Sequence, residues 1–350
     1  LISSLQISTK SKRSKKVMLT HALVPCDEIY AAFDAMRIKH PYHENAVTVF
    51  EKLRKRMLSA PHAEQTAGSL FAGSNSGKTT TVKWYIEKVI VPEWIRLRAP
   101  NAVGPLNELS KLQDVALHVE LSGATTESGL MSDFLESIGD PDPHGGTVKQ
   151  RRYRVERHLQ RYQIVFLDES QHIKTQTHAG PINRREDATV VQNTLKRWVK
   201  RLPIIFVGTQ HAQNVVFEHQ VETRSDPPIE FGPLHFSRPG DVKISTEFCG
   251  RLILKIVEHR ILESRPMILI EGDVPLCLNI ASKGRLGLIT KIVRMALEIA
   301  VGSGVRELRR EHLQMAVEHF TLRIGVCSYN PFTAGPNLMP SLEEYANDKT

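Results

Sequence analysis

The stretch FAGSNSGKTT at residues 71–80 constrains the fold more than any other part of the chain. Gly77, Lys78 and Thr79 fit the end of the pattern G-x-x-x-x-G-K-[ST]. Ala72 stands at the leading position, with Gly73 beside it, a mild departure because that position only starts a tight turn. Residues 69–72 read as a short apolar strand. After the loop, Val82, Ile86, Val89 and Ile90 fall on one face of a helix. Strand, small-residue loop and helix in this order aim backbone N–H groups and a helix N-terminus at an anion. The reading is a phosphate cradle made by Gly73, Ser74, Asn75, Ser76, Gly77, Lys78, Thr79 and Thr80. Lys78 would reach the β- and γ-phosphates of ATP, and the Thr79 hydroxyl would ligate Mg²⁺.

A second stretch, IVFLDESQHI at 164–173, supplies the other half. Four apolar residues make a buried strand, and Asp168 stands at its C-terminal end, where α/β sheets bind ligands. Asp168 would hold Mg²⁺ through water, and Glu169 would act as general base on the attacking water. LPIIFVGT at 202–209 is another buried strand ending in Thr209. That hydroxyl either reaches the γ-phosphate or attacking water, or simply turns the chain. Arg285 opens a later helix and either reaches back over the nucleotide or stays solvated.

Strand and helix patterns alternate from 69 to 209, with VALHVELS at 115–122 as a further strand. The expectation is an α/β fold with a parallel sheet flanked by helices. Residues 222–240 are Pro-rich, with room for an edge strand. From about 244 the pattern is helical, a small lid. The expected divisions are 1–26, a basic flexible N-terminus; 27–243, the P-loop domain with its helical lead-in; 244–328, the lid; and 329–350, an extended tail.

Forty-six Lys and Arg against 38 Asp and Glu leave a formal charge of +8, a weak pointer to nucleic acid. The cysteines are Cys26, Cys249, Cys277 and Cys327, and no C-x-x-C pair suggests a zinc module. With no membrane-length apolar run and no signal-like start, the expected location is cytoplasmic.

The series GSNSGKTT, VFLDESQHI, LPIIFVGTQHAQNV and ASKGRLGLITKIVRMALEIAV resembles the AAA+ ATPases that regulate DNA transposition, the TniB/TnsC group. The resemblance spans roughly residues 40–320. It implies a P-loop AAA+ sheet flanked by helices and followed by a small helical lid. It also implies a homo-oligomeric ring or filament on DNA that recruits or activates a transposase at a target site, with ATP hydrolysis driving disassembly. Target-selection proteins would be further partners. Family members present an Arg to the neighbour's nucleotide. The matching segment here, VETRSDPPIEF, makes Arg224 the candidate, with Ser225 where the usual pairing has Phe, and Arg238 as the fallback.

Two basic clusters flank the Asp168 strand: Lys149, Arg151, Arg152, Arg154, Arg157 and Arg161, and then Arg184 with Arg185. Of these, Lys149, Arg151, Arg152, Arg184 and Arg185 are the DNA candidates. They either neutralise phosphates of double-stranded DNA without reading bases, or form a solvated face paired to residues such as Glu156. Alternative readings are another AAA+ DNA-associated ATPase, of initiator or loader type, and a nucleotide-gated adaptor. Fewer residues follow the last lid helix than a winged helix needs, which favours the transposition reading over an initiator.

Overall fold

The computed structural model describes residues 22–123, 126–173, 182–210, 212, 225–336 and 340–346; side chains at 182–187 and 346 are not described. The basic N-terminal run and Arg224 therefore lie outside the described residues, and so do the side chains of Arg184 and Arg185.

A short helix, α1 (Ile29–Ala35), leads into α2 (Pro41–Ser59). Pro41 at the first helical position and the His40 ring accepting from the His43 amide start α2. Strand β1 (Gly68–Phe71) feeds the loop that opens α3 (Lys78–Tyr85). One π turn, Ile86–Ile90, carries α3 directly into α4 (Val91–Arg98). Then come α5 (Leu106–Leu112), β2 (Ala116–Glu120), α6 (Glu127–Ile138), α7 (Val148–Leu159) and β3 (Ile164–Asp168). Helix α8 (Ile182–Val199) and β4 (Ile204–Gly208) follow.

Among the described residues, four strands form a parallel sheet in the order β1-β4-β3-β2. Beyond β1, where an edge strand had room, the described residues make a bridge between Ala67 and Ser225 and bonds from the Asp226 and Ile229 amides to the Ala67 and Ser69 carbonyls. Strands this thoroughly buried read as continuous apolar runs because helices cover both faces. One face packs on α2, α3, α4 and α5 through Phe50, Leu53, Val82 and Tyr85; the other packs on α6, α7 and α8 through Leu130, Phe134, Val155 and Trp198.

The C-terminal part is helical: α9 (Pro239–Glu258), α10 (Val274–Ser282), α11 (Leu286–Gly302) and α12 (Arg310–Val317). Two short helices, α13 (Pro331–Ala334) and α14 (Leu342–Ala346), follow. Two expected divisions shift. Helix α1, with Met36 just after it, places Ile29, Phe33 and Met36 in the core of the helical part, so the lead-in is shared: α1 joins the helices while α2 joins the sheet. The described residues from 329 onward, 329–336 and 340–346, are packed down instead of extended. Phe332 and Tyr345 are buried, the Tyr345 hydroxyl donates to Asn279 Oδ1 at 2.7 Å, and His235 Nε2 lies 3.0 Å from the Pro340 carbonyl. Asn279 Nδ2 in turn donates to the Leu234 carbonyl, on the stretch joining sheet to helices.

Among the described residues, no helix is long and apolar enough to cross a membrane. Cys26 is exposed, the other three cysteines are buried, and all four are free.

Candidate functional site

Three strand ends converge on one place. The chain leaves β1 at Phe71, β3 at Asp168 and β4 at Gly208, and Phe71 pairs with Gly208 in register. The Ala72 amide extends that pairing to the Gly208 carbonyl. Between β1 and α3 the loop turns through two left-handed residues, Asn75 (φ 61°) and Gly77 (φ 97°). Gly77 is the residue type that adopts this conformation at no steric cost. Ser76 donates from both its amide and hydroxyl to the Gly73 carbonyl, and Thr81 does the same to the Gly77 carbonyl. The result is a rigid loop at the N-terminus of α3, with the helix dipole behind it. Lys78 Nζ lies over the loop, 2.8 Å from the Ala72 carbonyl and 2.9 Å from that of Gly73.

Thr79 and Asp168, expected to share Mg²⁺, are adjacent: Thr79 Oγ1 donates to Asp168 Oδ2 at 2.7 Å. Asp168 is 2% exposed and takes two further partners, His118 Nε2 at 3.1 Å and the Glu169 amide at 2.9 Å. Burial alone would raise this carboxyl. Hydrogen bonds from His118 and Thr79 outweigh it and hold the group below the usual carboxylate range. His118 sits on the neighbouring strand, facing Phe166 in the β2–β3 register.

Glu169 turns out of β3 with φ 56°, a strained conformation for a residue with a side chain. Its carboxylate accepts from Gln171 Nε2, and Gln171 Oε1 accepts from the Thr209 amide at 3.2 Å. One glutamine thus joins the general-base candidate to the strand end that carries Thr209.

Lys78, Thr79, Glu169 and Thr209 border a cleft of about 520 Å³. Its floor is residues 74–81, with Glu169 and Thr209; Tyr30, Phe33, Met36, Ile38, His40 and His43 come from the lead-in, and Phe248 from α9. Helix α11 supplies Leu286, Gly287, Thr290, Lys291 and Arg294, and Arg285 is not among the lining residues. Arg285 is instead buried where α11 begins. The cations that α11 presents to the cleft are Lys291 and Arg294. Lys291 Nζ donates to Asn75 Oδ1 at 2.5 Å, and the Arg294 guanidinium lies 4.8 Å from the Tyr30 ring centroid. Gly287 lets α11 come this close: a Cβ there would lie 2.2 Å from the Asn75 carbonyl oxygen.

The basic helix α7 is only partly available. Arg151 is buried, donating to Ser132 Oγ and Ser128 Oγ, so it faces the interior and leaves the DNA set. Arg152 pairs with Glu127 and Arg154 with Asp140. The expected Glu156 partnership exists, but with Arg197 of α8. Lys149, Arg157 and Arg161 are exposed. Arg238 precedes α9 with its side chain about half exposed, 4.0 Å from Asp241.

Sequence reasoning passed over His118, Gln171, Lys291 and Arg294. Two signals were there to be read. A histidine interrupts an otherwise apolar strand, and residues 287, 291 and 294 share one helical face.

Residues 62–216 match the family profile of the AAA domain. No curated protein sequence matches the chain at a significant level. Among solved structures, the chain is similar to the Aeropyrum pernix ORC1 protein in complex with DNA, at TM-score 0.53 and 16% identity over 83% of this chain and 69% of that one. The Aeropyrum pernix ORC2 protein in its ADPNP–ADP complexes gives TM-score 0.54 and 15% identity over 82% and 71%. Cdc6p from Pyrobaculum aerophilum gives 0.52 and 12% over 83% and 70%. The chain has the AAA+ fold of the ORC and Cdc6 proteins, a parallel α/β sheet followed by a helical part.

Proposed function

We propose that this protein is an ATP-driven switch on DNA. It hydrolyses ATP with Mg²⁺, assembles as a homo-oligomer on double-stranded DNA, and regulates transposition by recruiting or activating a transposase together with target-selection proteins. The observation that carries the ATPase reading is the convergence of the phosphate loop, the Thr79–Asp168 pair and the Glu169–Gln171–Thr209 chain at three adjacent strand ends.

The residues divide the work by chemistry. Thr79 and Asp168 offer oxygen donors only, which fits a small hard cation such as Mg²⁺. When bound, that ion neutralises charge on the β- and γ-phosphates. Lys78 and the loop amides hold the same phosphates. Glu169 takes a proton from the water that attacks the γ-phosphorus as the bond to ADP breaks. Gln171 aligns Glu169 from the direction of Thr209. Arg224, or Arg238 in its place, would complete a neighbour's site.

The DNA reading is supported by the +8 charge, the exposed Lys149, Arg157 and Arg161, and a fold shared with a DNA-complexed relative. Transposition rests on the sequence resemblance. The likeness to ORC and Cdc6 favours a second reading, an initiator or loader type of ATPase.

Imaging the protein with duplex DNA and ATP, ADP or a slowly hydrolysed analogue tests the switch. Rings or filaments on DNA with the triphosphates alone are expected. Monomers in every nucleotide state overturn the assembly, and footprint protection of a single preferred sequence favours the initiator reading.

A further inference from the structure

On the cleft wall, His43 has both ring nitrogens buried without a hydrogen-bond partner. The residue is 3% exposed. Its position is fixed from two sides: its amide donates to His40 Nδ1 at 3.3 Å, and its ring meets Trp84 edge to face, with centroids 4.5 Å apart at 86°. A buried imidazole with an unused N–H and an unused lone pair is costly, and folds keep such a group where something else completes it.

The surroundings point to what completes it. The phosphate loop fixes one end of a nucleotide at Lys78 and Thr79. Trp84 stands one helical turn beyond Thr80 on the same helix, so His43 and Trp84 border the cleft past the phosphates. Ile38, Met36 and Phe248 make the neighbouring lining apolar. An apolar wall with one unspent polar ring suits a flat heteroaromatic base. Burial, with the ammonium of Lys39 nearby, lowers the His43 imidazole to about 4, so the ring is neutral and keeps its lone pair. Lys39 Nζ itself lies 4.8 Å from the Trp84 ring centroid, at the same corner of the cleft. A lone pair calls for a donor. Adenine presents an exocyclic amino group where guanine presents a carbonyl oxygen.

We propose that His43 is the residue that recognises the base of the bound nucleotide, its lone-pair nitrogen accepting from the exocyclic amino group of adenine. This rests on the ATP reading above and adds to it the source of base specificity.

The test is equilibrium binding by calorimetry to three ligands: ATP, purine riboside triphosphate, which lacks the amino group, and inorganic tripolyphosphate, which lacks the base. Each is measured on the wild-type protein and on His43→Phe, which keeps an aromatic ring against Trp84. The wild type should prefer ATP over the purine analogue by about tenfold, the worth of one net hydrogen bond. In His43→Phe that ratio should fall to about one, with tripolyphosphate affinity unchanged. A purely structural role would weaken both nucleotides alike and keep the ratio, which overturns the assignment. So does equal wild-type affinity for ATP and the purine analogue, a comparison that needs no variant to fold. Wild-type protein that binds neither ATP nor tripolyphosphate would overturn the ATP reading itself. ATP binding without preference removes only the role of His43.

Discussion

The sheet wall and the helical wall of the cleft solve the same problem in different ways. On the sheet wall, polar groups are tied to one another across strand ends: Asp168 takes Thr79, His118 and the Glu169 amide, and Gln171 joins Glu169 to Thr209. Their positions follow from the β-ladder, which fixes register along three strands. The helical wall meets the loop through α11, at Gly287 against the Asn75 carbonyl and Lys291 against its side chain. One wall is a network on a rigid scaffold. The other is a docking contact whose closeness depends on a missing side chain. The chemistry thus belongs to the sheet, and the fit around the nucleotide belongs to the helices.

Changing one wall at a time should separate the two roles. The largest effect is expected from Glu169→Gln. Losing a general base should lower turnover by about 100-fold or more while ATP affinity stays within a few-fold. Steady-state ATPase assays beside equilibrium binding check this; a matching collapse in affinity would mean that Glu169 shapes the loop instead of acting on water. Next is Gly287→Val on the helical wall. The added side chain would push α11 off the Asn75 backbone, so ATP affinity should fall by about tenfold, with a loss of about 1–3 kcal/mol in stability. Wild-type affinity in that variant would show that α11 and the loop can separate without loss, and the contrast between walls would fade. The smallest effect is expected from Tyr345→Phe, which leaves Asn279 Oδ1 short of a donor. Stability should drop by about 1 kcal/mol, seen as a lower urea midpoint at unchanged slope, with turnover per folded molecule preserved.

The sheet wall was legible in the sequence because its signals are local. Buried parallel strands read as apolar runs, DE stands directly at the end of one, and GKT follows another by a short loop. Strand order was not legible, since nothing in an apolar run says which neighbour it pairs with. The helical wall was harder. Arg285 stands just before α11 and Lys291 within it, and only the packing of α11 on the loop decides which cation faces the cleft. Helix α10 falls within the stretch expected to be helical, but it shows no helical period of its own because eight of its residues are buried, leaving no polar face. Arg151 looked like part of a basic surface because its partners, Ser128 and Ser132, lie on another helix. The packing of Tyr345 was invisible for the same reason, with its partner 66 positions away.

Tyr345 and Pro340 also settle a practical matter. They close on Asn279 and His235, beside the stretch that joins sheet to helices. A fluorophore or fusion partner attached just after Tyr345 would emerge at the joint between the two walls. Such a probe would report on the packing of that stretch, and a bulky one there would strain the Tyr345–Asn279 contact.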